Sequence, residues 1–444
     1  MNKASFGWLG VFRLGLVQAS LGAIVVLTTS TLNRVMVVEM ALPALLPGLL
    51  LALHYVVQIS RPRMGHGSDL GQRRTPWIMG GMVTLAAGGW LAALATAWMG
   101  SSPAAGIALA LLAYTLIGLG VAASGTSLLV LLAKRVPAEK RAAAATTVWI
   151  MMIVGFVVTA GVAGSLLDPF SAARLLWVAA GVAVSAVVLT ALALVGLEGQ
   201  AGPAGHLDRS GDTAASVPFK QALQDAWAEP KARRFTVFVF VSMLAFSMQD
   251  LILEPFAGLV FGLTPGGTTR LSSAQHGGAL VGMLLAAAAG SRWAGRQWGT
   301  LRGWTLWGCV ASALALGGLA LAGVAGPSWP LRANVFALGL ATGAFSIAAI
   351  GSMMGLAGAG KGGQEGVRMG LWGAAQAMAF ALGGVLGTAA SDLTRWLFAD
   401  AGLAYALVFL VDAGLFLWAA HLATQVEPRE ARRPAFAASL ERAL

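Results

Sequence analysis

Two carboxylates four positions apart, Asp250 and Glu254, stand in the apolar run FSMQDLILEPFAG at residues 246–258. On an unbroken helix that spacing puts both on one face, where they can bind a proton, contact a polar ligand or pair with cations. The flanks FTVFVFVSMLA and LVFGL are apolar enough to span a bilayer, so the acids are expected within the membrane or near its far surface. Charge there is expensive and usually functional. The plainer reading is that both acids only pair with basic groups on neighbouring helices and hold the bundle together.

Other chemistry-bearing residues are few. His54, in LALHYVVQ, is a candidate metal-ligating imidazole, although a hydrogen bond to a neighbouring helix is the simpler reading, and His276, close in sequence to the acidic run, also reads as an interfacial residue. His421 reads as interfacial, and His66 and His206 fall in loops. Cys309 is the single cysteine, which rules out an internal disulfide and any cysteine-based zinc or iron-sulfur site. There is no GxxxxGK[ST] phosphate loop, and GKGGQEG at 360–366 has no strand before it. Nothing in this set reads as an enzyme.

The elements that must position these residues are legible from composition. A hydrophobic share of 57% with 11% charged residues excludes an ordinary soluble domain, where about a quarter of residues are charged. Long continuous apolar runs, without period-two alternation, indicate an all-α polytopic membrane protein. Helices are expected near 11–36, 41–60, 76–99, 104–133, 142–166, 172–197, 233–262, 271–291, 301–324, 331–358, 367–391 and 402–423. The net charge of +11 does not indicate nucleic acid, because the basic residues fall in separate short loops. They alternate from side to side instead. One set of loops holds Arg61, Arg63, Arg73, Arg74, Lys134, Arg135, Lys140, Arg141, Lys231, Arg233, Arg234, Arg292, Arg296, Arg302, Lys361 and Arg368, while the opposite set holds only Arg34, Arg174, Arg270, Arg332 and Arg395, which is expected to place both termini in the cytoplasm. The polar stretch 198–232 then separates an N-terminal six-helix half, 1–197, from a C-terminal half, 233–425, followed by a basic cytoplasmic tail, 426–444.

The halves resemble each other. NRVMVVE in helix 1 corresponds to QDLILE in helix 7, and GSLLD in helix 5 to GTAASD in helix 11. A parallel duplication of six helices is the architecture of the major facilitator superfamily, and it predicts that Arg34 and Glu39 lie near Asp250 and Glu254. The loop RPRMGHGSDLGQRRTPWI adds Gly65, Asp69, Gly71, Arg73 and Arg74, an inexact form of that superfamily's cytoplasmic loop signature. In transporters this loop locks one conformation; otherwise it is an ordinary basic loop. Helix 11, with Gly366, Gly370, Gly373, Gly383, Gly384 and Gly387, is suited to close helix packing or to leaving a shallow groove.

Three stretches carry a more specific likeness: TLNRVMVVEMALPALLPGLLLALHYVVQISRPRMGHGSDLGQRRTPWIMGG, MQDLILEPFAGLVFGLTPGGTT and GQEGVRMGLWGAAQAMAFALGG. Together they resemble the PucC/LhaA family of bacteriochlorophyll delivery proteins, and the short loop after helix 2 looks more like the branch labelled bacteriochlorophyll synthase 44.5 kDa chain. The resemblance implies a bacterial inner, intracytoplasmic photosynthetic membrane and bacteriochlorophyll or a precursor as the bound molecule. It also implies light-harvesting polypeptides or bacteriochlorophyll synthase as partners. His54 and His276 are then the candidate ligands for pigment magnesium, with Asp250 or Glu254 as further contacts. Two other functions stay open from the residues themselves: a proton-coupled transporter using Asp250, Glu254 and Asp412, and a structural subunit that moves nothing.

Overall fold

The computed structural model describes residues 7–58, 73–136, 140–198, 227–290, 300–358, 365–398 and 400–426. They form twelve helical segments and no strand among the described residues. The first six are α1 (Trp8–Glu39), α2 (Leu45–Val57), α3 (Thr75–Met99), α4 (Pro103–Arg135), α5 (Arg141–Leu166) and α6 (Ala172–Leu194). The second six are α7 (Pro230–Phe261), α8 (Pro265–Gly290), α9 (Leu301–Ala325), α10 (Leu331–Gly358), α11 (Glu365–Leu397) and α12 (Ala401–Val426).

Ten of these segments are long and apolar enough to cross a membrane, so the chain is a multi-pass membrane protein. The two exceptions have local causes. α2 is shorter than the expected 41–60, because Ala41 takes a positive φ of 51° and Pro43 follows before the helix can start. α8 is long, but Thr268, Thr269, Arg270, Ser272, Ser273, Gln275 and His276 make it polar. α6 stops at Leu194 rather than 197, with Gly196 at φ 67° closing the turn.

Three apolar clusters form. One draws its buried side chains from residues 11–197 and another from 235–423, so each set of six helices has its own apolar centre, and a third, small cluster of Ile153, Met283, Ala286, Ala344 and Ile347 joins the two sets. The sets meet along α2 against α11 and α5 against α8. In lipid there is no hydrophobic drive to bring helices together, so close approach relies on small residues. On α8 and α10 this is reciprocal: a Cβ on Gly278 or Gly282 would strike the backbone of Phe336 or Leu340, and one on Gly339 or Gly343 would strike Gln275 or Ala279. α11 does the same against α7, where a Cβ at Gly383 would come within 2.6 Å of the Leu244 carbonyl and one at Gly387 within 2.5 Å of the Met248 carbonyl. Gly373, by contrast, faces open space.

Candidate intramembrane polar site

α1 and α7 both lose regular winding where they meet. In α7 the cause is Pro255, which has no N–H and whose ring displaces the carbonyl of Leu251 four residues earlier. The helix is interrupted at Leu251 and Ile252. The freed Leu251 carbonyl accepts a 2.6 Å hydrogen bond from Nδ2 of Asn33 on α1. α1 is wound as π-helix over Leu27–Leu32 and Val35–Glu39, and its polar residues Ser30, Thr31, Asn33 and Arg34 turn inward and are buried.

Glu254, only 3% exposed, accepts a hydrogen bond from the hydroxyl of Ser30. Thr268 and Ser272 of α8, and the guanidinium of Arg34, also face its carboxylate. Arg34 itself is 2% exposed; Nη1 pairs with Glu39 and Nη2 donates 2.6 Å to the Leu263 carbonyl just past α7. Thr31 and Thr269 share a 2.9 Å hydrogen bond alongside. Arg34, Glu39 and Glu254 are thus brought together across the two halves, at the end of the bundle away from the N-terminus.

Asp250 closes the first part of α7 and Glu254 stands in the first turn of the second, with Leu251 and Ile252 in the turn between them. Asp250 lies within electrostatic reach of Asp412 on α12. Asp412 is fully buried and neither of its carboxylate oxygens has a hydrogen-bond partner. Gln249, beside Asp250, is also fully buried with both amide atoms unpartnered, and Oδ1 of Asn33 is in the same condition.

The two histidines sit apart. His54, in the last turn of α2, shares a 2.8 Å contact between its Nε2 and Nε2 of Gln58 and meets Tyr55 edge-on at 5.0 Å. His276 follows Thr268 and Ser272 at helical spacing on α8, which continues their polar stripe, and its ring lies 4.9 Å from that of Phe156 on α5. Of the loop motif, Gly65, Asp69 and Gly71 lie outside the described residues, and Arg73 is exposed. Arg74 is buried, and its backbone N–H donates to both carboxylate oxygens of Glu198, at 2.9 and 3.0 Å. Thr75 adds its N–H at 2.8 Å and its hydroxyl at 2.6 Å, so Glu198 caps α3. Burial raises the Glu198 pKa, but these hydrogen bonds and the Arg74 charge outweigh it and hold the carboxyl below its usual value. Arg135 donates to the Glu198 carbonyl at 2.8 Å, which ties α4 to the same point.

The family model described as "PUCC protein" matches residues 31–431. The chain belongs to the PucC family. A relative named "Bacteriochlorophyll synthase 44.5 kDa chain", from Rhodobacter capsulatus, is 51% identical over 95% of this chain and 96% of its own length. "Protein PucC" of Rhodobacter capsulatus is 31% identical over 86% of this chain and 83% of its own. Among solved structures, a D-xylose-proton symporter aligns with a TM-score of 0.69 at 15% identity, covering 95% of this chain and 98% of that one. A peptide transporter, POT, aligns with a TM-score of 0.67 at 16% identity, over 95% and 94%. The PucC chain therefore has the major-facilitator fold, in two related halves of six helices, and at this identity the likeness shows the fold alone.

Proposed function

We propose that this chain is a membrane carrier that binds bacteriochlorophyll or a precursor and passes it to nascent light-harvesting polypeptides, taking it from the biosynthetic enzyme without converting it. Membership of the PucC family and the 51%-identical relative's name support the pigment and the pathway. The observation that carries the reading is the group of buried, unpartnered polar atoms on Gln249, Asp412 and Asn33, enclosed by apolar helices of both halves. A pigment is a large apolar plate with a few polar substituents, so its carrier needs apolar area and a few polar contacts rather than a hydrated pore. Gln249 can donate to a keto or ester oxygen. Of the two imidazoles, His276 is the better candidate for the pigment magnesium, because the Nε2 of His54 is engaged with Gln58. Arg34, Glu39 and Glu254 brace the two halves around the site. Gly65, Asp69, Gly71, Arg73 and Arg74 form the loop that fixes the cytoplasmic side, with both termini and residues 198–232 on that side of the photosynthetic membrane.

The neighbouring carboxylates Asp250 and Asp412 favour a second reading, a proton-coupled transporter of the same fold. Single replacements separate the two. In cells lacking the native chain, Gln249→Ala and His276→Ala are expected to lower assembled antenna pigment. If both support full assembly while Asp412→Asn abolishes proton movement by the purified protein in vesicles, the transporter reading replaces the carrier.

A further inference from the structure

A crevice of about 930 Å³ opens between α5, α8 and α10 at the end of the bundle away from the N-terminus. It lies outside the polar site described above. Arg270 and Arg332 stand at its mouth, and Gly161, Ala274, Gly277 and Phe336 line it below. No carboxylate is among its lining residues, although Asp168 behind the rim pairs with Arg270. Arg270, Ala274 and Gly277 are spaced i, i+4, i+7, so they share one face of α8, and Arg332 and Phe336 share one face of α10. Each arginine therefore heads an apolar strip that runs inward for roughly 5–10 Å at 1.5 Å per residue.

We propose that this crevice seats an anionic glycerophospholipid, with its phosphate between Arg270 and Arg332 and an acyl chain along the apolar strip. Arg332 is exposed and makes no ion pair among the described residues. It stands in the first turn of α10, where the unpaired helix N–H groups add to the positive field. Arg270 spends Nη2 on Asp168 at 2.8 Å and Nη1 on the Gly164 carbonyl at 3.4 Å, which holds the guanidinium at the rim. Trp329, just before α10, donates its indole N–H to Asn334 at 3.0 Å, and tryptophan at a helix end marks the headgroup level of a bilayer. The small residues keep the strip open: a Cβ on Gly277 would meet nothing within 4 Å. A free phosphate would use only the two cations, whereas an anionic lipid uses the cations and the strip beneath them.

The test uses the full chain, reconstituted in vesicles of mixed phosphatidylcholine and phosphatidylglycerol, re-extracted in detergent, with retained lipid counted by native mass spectrometry. The parent is expected to retain phosphatidylglycerol over phosphatidylcholine, and Arg332→Gln to lower that retention about fivefold, as for one arginine near an anionic headgroup. Gly277→Leu fills the strip from the acyl side and is expected to lower retention while leaving the melting temperature unchanged, so the two variants read head and tail independently. Unchanged retention in both variants overturns the proposal. So does equal retention of the two lipids, displacement by inorganic phosphate with Gly277→Leu silent, or recovery of a carboxylate-bearing pigment in place of lipid.

Discussion

Asp168 and Asp392 stand at corresponding points of the two halves, and each reaches across to the start of a helix in the other half. Asp168, just past α5, accepts from the Thr264 hydroxyl at 2.7 Å and from Arg270 at 2.8 Å, at the beginning of α8. Asp392, in α11, accepts from the N–H groups of Ala44 and Leu45 at 2.9 and 2.8 Å, at the beginning of α2. α5 and α11 are equivalent helices of the repeat, as are α2 and α8. The two halves are therefore joined, at the end of the bundle away from the N-terminus, by two related hydrogen-bonded clamps.

Replacing both clamps, Asp168→Ala with Asp392→Ala, is expected to loosen that end, at about 1–3 kcal/mol for each charged hydrogen-bonding group removed. Cys309 is the single cysteine and is buried, so a cysteine placed at Ser273, on the α5–α8 seam, reports alone. Its labelling by a water-soluble maleimide should speed up in the double variant. An unchanged rate would show that the seam is held by packing alone.

Asn33→Ala leaves the Leu251 carbonyl buried without its donor, and is expected to cost about 1–3 kcal/mol. A lower melting temperature in detergent checks this. If Asn33→Ala melts like the parent, water or a neighbouring group satisfies that carbonyl.

Much of this arrangement is legible in the sequence, and the exceptions have physical causes. Apolar run length and the alternation of basic loops place twelve helices, and the correspondence of NRVMVVE with QDLILE brings Arg34 and Glu39 beside Glu254. Pro255, four residues after Leu251, is the local signal for the turn at Leu251 and Ile252 that separates the two acids along α7. Glu198 stands at the edge of a polar linker, and nothing local in its sequence indicates that it caps a helix more than a hundred residues earlier. The Gly278, Gly282, Gly339 and Gly343 seam is readable as two small-xxx-small pairs, yet the denser glycines of helix 11 draw attention first.

Gly343→Leu is expected to separate α8 from α10 and to lower the yield of folded protein sharply, since the added side chain meets the Ala279 backbone, which cannot yield. Gly373→Leu, in open space, serves as the control and should fold normally. Equal yields of monodisperse protein from the two variants in size-exclusion chromatography would contradict the close-packing account.

Glu198 gives a pH dependence with a definite sign. Its carboxyl is held below the usual value in the folded chain, so its contribution is present above the unfolded pKa and is lost as pH falls through the folded one. Melting temperature measured from pH 6 downward should drop at acid pH in the parent, and by less in Glu198→Gln, which starts lower. Parallel curves for the two proteins would assign the acid lability elsewhere.

The most direct measurement is the absorption spectrum and pigment content of the chain purified from a cell that makes bacteriochlorophyll. Bound pigment or precursor is expected in the parent and a lower content in Gln249→Ala, with both proteins monodisperse. A colourless parent, purified from cells whose antenna complexes assemble normally without it, would contradict pigment delivery.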